Sequence, residues 1–170
     1  MKENFDKSFA LVLKSEGGFV NNPKDPGGMT NLGVTKKNWE AFVKRTADEK
    51  EMRALTADAV KPFYKANYWD AEHCDDLPTG LDYAVFDFAV NAGVGRAAKI
   101  LQRALGVPED GHIGPVTMGQ IKAASAADLL EKFSNNKKEF YKALPTFADF
   151  GKGWLSRVDN VQANAADMIT

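Results

Sequence analysis

A chain of 170 residues, 44% hydrophobic and 26% charged, has the size and composition of one ordinary globular domain. Its net charge of −1 excludes the broad basic footprint of a nucleic-acid-binding protein, and its single cysteine, Cys74, excludes an internal disulfide. No run approaches the ~18 apolar residues of a membrane-spanning helix, and the first residues, Met1 to Lys7, lack the apolar core of a signal peptide.

In chain order, Phe5, Phe9, Val12 and Leu13 recur at helical spacing and predict an amphipathic helix over 5–15. The glycine pair after Glu16 stops it. Asn21 to Gly28 is turn chemistry, flanked by the β-capable pieces Phe19-Val20 and Thr30 to Val34, which predicts a small β-rich loop or hairpin. The helical period returns at Thr35, a fair N-cap, with Trp39, Phe42 and Val43 on one face. Thr56 caps a further helix carrying Val60, Phe63 and Tyr64, and Pro62 should kink or shorten it. Residues 81–92 are apolar nearly all round, as in a helix at the centre of a domain. A helix over 96–105 follows and is broken by Gly106 to Gly111. A short helix starts near Pro115, a longer one opens at Ser125 and ends before Pro145, and the last is amphipathic through Trp154, Leu155, Val158, Val161 and Ala165. The sum is a mainly α fold with a small β-hairpin or loop near the N-terminus.

Three polar residues of the first irregular segment form a candidate site: Glu16 at a helix end, with Asp25 and Thr30 in or beside the turn-rich loop. Cleaving a glycosidic bond takes one acid to protonate the departing oxygen and a second group to activate water or stabilise the oxocarbenium-like state. An acid on a helix end and a partner on a hairpin supply two walls of a cleft, and an apolar cleft favours the neutral acid. Thr30 is suited to holding a water. Each residue also has a plain structural reading. Glu16 is a solvated carboxylate, although a helix C-terminus disfavours negative charge; Asp25 is a turn residue before Pro26; Thr30 is a strand residue.

The run Glu16-Gly17-Gly18-Phe19-Val20-Asn21-Asn22-Pro23-Lys24-Asp25-Pro26-Gly27-Gly28-Met29-Thr30-Asn31-Leu32-Gly33-Val34-Thr35 resembles the signature of glycoside hydrolase family 108, the N-acetylmuramidases of phage endolysins and secretion-associated bacterial proteins. The resemblance continues in Tyr68-Trp69, in Phe86 to Gly93, in Leu101 to Val107, in Asp110 to Pro115 and in Gly153 to Arg157. It implies a lysozyme-like helical fold and Glu16 as catalytic acid. The placing of Asp25 and Thr30 is also similar to the acid–aspartate–threonine triad of phage-type lysozymes, where the threonine follows at slightly longer spacing. That implies water activation by these two, inversion, and carboxyl groups roughly 6.5–9.5 Å apart. The Leu101 to Pro115 segment resembles the peptidoglycan-binding region that follows the catalytic part in this family.

Asp87 and Asn91 stand four apart on an otherwise apolar helix, so they either hydrogen-bond the glycan or satisfy partners inside the core. Tyr68 and Trp69 either stack on sugar rings or belong to the core. The cluster Asp70, Glu72, His73, Cys74, Asp75, Asp76 matches no zinc pattern and reads as a solvated acidic turn, and His112 as a turn residue, so no metal or cofactor is expected. The expectation is one lysozyme-like domain over 1–170, with a catalytic lobe over 1–80 and a helical, wall-binding lobe over 81–170. It acts as a monomer on peptidoglycan glycan strands, with no nucleic-acid partner. Made in the cytoplasm, it reaches the wall after holin action if it is phage-encoded, or by another export route. The competing readings are a lytic transglycosylase and a non-catalytic wall-binding or secretion-accessory protein.

Overall fold

The structure, a computed structural model, describes residues 1–169 and divides into two compact units, Asp6–Asn67 and Met1–Phe5 with the chain from Tyr68 onward. Among the described residues no helix is long and apolar enough to cross a membrane.

In the first unit, helix α1 (Phe5–Leu13) buries Phe9 and Val12. It stops two residues short of the predicted end because the amides of Ser15 and Glu16 turn back to the carbonyls of Val12 and Leu13, at 3.0 and 3.1 Å. Three short antiparallel strands follow in the order β1 (Val20–Asn21), β2 (Met29–Asn31), β3 (Val34–Thr35). Asn31 pairs with Val34, so Leu32 and Gly33 alone make the hairpin turn, and both have positive φ, 51° and 76°. That is the backbone of the mirror-image two-residue turn that suits strand twist, normally built from asparagine and glycine. A leucine there is strained. Buried Asn31 fixes the sheet by donating its side-chain amide to the Met52 carbonyl at 2.8 Å.

Thr35 caps helix α2 (Lys36–Val43) by accepting from the Asn38 amide, and Thr56 caps α4 (Ala57–Tyr64) by accepting from Ala59. Between them lies α3 (Glu49–Arg53), capped by Asp48, which the hydrophobic pattern does not announce. It is five residues long and buries only Met52. Pro62 sits inside α4 without ending it, and the chain widens into a π-helical turn, Lys65–Trp69, just beyond.

The second unit is a helical bundle: α5 (Leu81–Ala92), α6 (Val94–Leu105), α7 (Pro115–Ala123), α8 (Ala126–Lys142) and α9 (Phe147–Ile169). As its composition predicts, α5 is the centre, with every residue from Leu81 to Ala89 buried. It packs on α6, α8 and α9. Ser125 caps α8, and α9 begins at Phe147, a full two turns before Trp154. The loop between α6 and α7 is organised around buried Gln102. Its amide nitrogen lies within hydrogen-bond distance of Asp110, the His112 carbonyl and Thr117, and its oxygen accepts from the Gly111 amide at 3.0 Å. His112 thus acts through its backbone.

Two charged side chains are enclosed in this unit at a cost. Glu72 is 1% exposed, and neither carboxyl oxygen has a partner. Burial pushes its pKa up to about 8. Lys137 is also 1% exposed, with its Nζ over the rings of Phe133 (4.9 Å) and Phe88 (5.7 Å). Burial pulls its pKa down to about 8, against the favourable charge of Asp87.

Candidate active site

Glu16 is half-buried at the mouth of the turn that ends α1. What surrounds its carboxyl is set by the β2–β3 hairpin and by α4. The Tyr64 hydroxyl, on the last residue of α4, donates to the Leu32 carbonyl at 2.6 Å. This bond holds the strained hairpin turn against α4. Gly33, next in the turn, has no side chain to fill the space in front of it. A Cβ there would lie 2.7 Å from Glu16 Oε2, and closer still to the Tyr64 hydroxyl. The acid, the phenol and the glycine therefore share one small volume. Tyr64 is 1% exposed and packs against Phe9 and Phe63, with ring centroids at 5.4 and 5.7 Å, so the wall beside the acid is aromatic.

Neither Gly33 nor Tyr64 was singled out by the sequence. The sequence reading placed Gly33 within a β-capable piece, and nothing local tied Tyr64 to Glu16. Gly33→Ala is expected to lower glycan-cleaving activity by about a hundredfold, the typical effect of a misplacement near 1 Å. The added methyl must push the acid or the phenol aside, and alanine at this φ adds about 1 kcal/mol of backbone strain. Steady-state rates and a thermal melt check both parts; full activity in Gly33→Ala would show that the shared volume is not used.

Asp25 is exposed at the tip of the β1–β2 loop. Its Oδ1 accepts from the Gly27 amide at 2.8 Å, and its carbonyl accepts from Gly28 at 2.9 Å, so it builds the turn it sits in. Its second carboxyl oxygen takes no hydrogen bond from any described residue. Thr30 is half-buried at the centre of the sheet, paired with Val20 on one side and Thr35 on the other.

The remaining candidates lie in the second unit. Trp69 does not present a stacking face: it is fully buried, its ring meets Phe5 and Phe86 edge-on at 5.3 and 5.4 Å, and its Nε1 donates to Asp75 at 2.7 Å. It is core, because a large ring with one satisfied polar atom gains most by full burial. Tyr68 is half-buried. Asp87 is 4% exposed and takes an ion pair from Arg157 at 2.9 Å, which is the core alternative for that residue. Asn91 is exposed and donates its side-chain amide to the Tyr141 hydroxyl, and Tyr141 stacks on Trp154 at 5.1 Å. The acidic turn disperses: Glu72 and Cys74 point inward while Asp70, His73 and Asp76 are exposed.

Comparison with known proteins gives the family. The family described as Glycosyl hydrolase 108 matches residues 9–93, and the one described as Predicted Peptidoglycan domain matches residues 96–159. Among solved structures, that of Brucella abortus SagA aligns with a TM-score of 0.88 and 39% identity, covering 99% of this chain and 97% of that one. A search of curated proteins gave no match. The first match spans Glu16, the hairpin and Tyr64 together, the second spans α6 to α8 and the first part of α9, and the chain accordingly belongs to the glycosyl hydrolase 108 family, as a glycosidase of peptidoglycan.

Proposed function

We propose that this protein is a muramidase, hydrolysing the β-1,4 bond between N-acetylmuramic acid and N-acetylglucosamine, with Glu16 as general acid. The observation that carries the reading is the placing of the Glu16 carboxyl beside the aromatic wall of Tyr64, in a space kept open by Gly33. The acid protonates the glycosidic oxygen as the bond breaks, and the sugar passes through an oxocarbenium-like state that water captures.

Asp25 and Thr30 are assigned to that water: the free oxygen of Asp25 as base, the Thr30 hydroxyl as an orienting group, with inversion at the sugar carbon. Asp25→Asn separates this role from the structural one. The asparagine side-chain oxygen still accepts from the Gly27 amide and preserves the turn, but the charge is gone. Cleavage of purified sacculi is expected to fall about a hundredfold or more, as for loss of a general base. Undiminished cleavage would leave Asp25 as a turn residue and favour a lytic transglycosylase, which needs one glutamate alone. Wall binding with no release of soluble fragments would instead point to an accessory protein.

A further inference from the structure

Two hollows of about 230 and 510 Å³ adjoin on the second unit and share Ala104, Leu105 and Lys132. Together they form a trough where the end of α6, the end of α7 and the first half of α8 meet. Its size falls in the range of sites that hold small ligands, about 300–1,000 Å³. Ala104, Leu105 and Leu129 give it an apolar floor. Asp128 and Lys132 stand above that floor, four residues apart on α8.

That spacing and order, acid before base on one helix face, ordinarily forms an ion pair. Here neither residue is paired with any described residue. The trough thus offers one carboxylate in the first hollow and one ammonium where the two hollows adjoin. Gln120 in the first hollow and Asn135 and Asn136 in the second add side-chain amides without partners among the described residues. Amides able to donate and accept suit the backbone of an extended peptide. Opposite charges over an apolar floor suit a short peptide carrying both carboxylates and an ammonium group.

We infer that this trough is the seat of wall recognition in the peptidoglycan-binding region, and that it takes the peptide stem of peptidoglycan rather than its sugars. The inference rests on the reading of the chain as a wall-directed glycosidase, since it is the match over residues 96–159 that names peptidoglycan as the partner. Lys132 receives a stem carboxylate and Asp128 the stem ammonium. Holding the stem in this unit tethers the enzyme to the strand it cuts.

The test uses the full chain and a synthetic stem tetrapeptide with free carboxylates and one amino-bearing side chain. Titration followed by amide NMR is expected to shift signals of Leu105, Gly106, Ala124, Asp128 and Lys132. Lys132→Glu and Asp128→Lys are each expected to weaken binding about tenfold or more, as for loss of one desolvated charge contact, and the exchanged pair Asp128→Lys with Lys132→Asp to recover part of it. Shifts elsewhere, an unaffected affinity in both single variants, or seating of a peptide-free glycan oligomer in the trough would each overturn the proposal. The tetrapeptide contains no glycosidic bond, so the two readings fail separately. Peptide binding without glycan cleavage counts against the muramidase alone, and cleavage without peptide binding counts against the trough alone.

Discussion

Glu16→Gln is expected to reduce the rate of sacculus cleavage by about a thousandfold, in the middle of the range for removing a general acid. On the rate scale that is a barrier raised by about 4 kcal/mol. Glutamine preserves the size and the planar shape of the side chain, so it fits the volume beside Gly33 and Tyr64 that the glutamate occupies. What it lacks is a proton to deliver. The bond from Glu16 to Leu13 runs through the backbone amide and is kept in the glutamine variant. Unchanged melting with activity almost gone is therefore the expected pair of results, measured by turbidity loss and by thermal denaturation. Activity within a few-fold of wild type would remove Glu16 from the chemistry.

A second large effect concerns stability against pH, and it comes from two buried residues of the second unit. Glu72 has its ordinary pKa of 4.5 raised to about 8 by burial. Below 4.5 both the folded and unfolded forms hold the proton. Between 4.5 and 8 the unfolded chain releases it while the folded one keeps it, so stability falls as pH rises through this window. Lys137 works in the next window. Its pKa falls from 10.5 to about 8 by burial, so between these values the folded form has shed a proton that the unfolded form retains, and stability climbs with pH. The two slopes meet near pH 8, where a minimum is expected, each residue contributing a few kcal/mol; above pH 9 the buried Cys74 thiol, whose pKa burial raises, opposes the climb. Urea unfolding at pH 5, 8 and 10 tests this. Glu72→Gln should flatten the acid side, and Lys137→Met, which replaces a buried cation by an apolar chain of similar length, should flatten the alkaline side and stabilise the protein at pH 7. A wild-type stability that is level from pH 5 to 8, with Glu72→Gln no better at pH 8, would contradict the buried, partnerless carboxyl.

Much of the fold was legible because its determinants are local. Thr35, Thr56 and Ser125 cap helices through a side-chain oxygen and an amide three residues on, a relation contained in the sequence itself. The central helix announced itself by being apolar on all sides. Helix α3 did not, since a charged five-residue turn that buries only Met52 has no periodicity to read. The hairpin was expected but not its turn, because leucine at Leu32 runs against the preference for φ below zero, and only the bond from Tyr64, 32 residues away, explains why it stays there. The same distance hid the surroundings of Glu16. Local pattern could propose an acid at the end of α1 but could not show that Gly33 clears the space for it. Asp87 and Trp69 show the converse limit. A polar residue on an apolar helix, or an aromatic pair, fits a cleft or a core equally well until its partner is known, and here the partners are Arg157 and the rings of Phe5 and Phe86.

The most direct test of the central claim is to digest purified sacculi in water enriched in heavy oxygen and to weigh the released fragments. A muramidase breaks the bond with one water, so each new fragment should end in reducing N-acetylmuramic acid carrying a single heavy oxygen. Fragments ending in 1,6-anhydro-muramic acid with no label would contradict the account and assign the same acid to a transglycosylase.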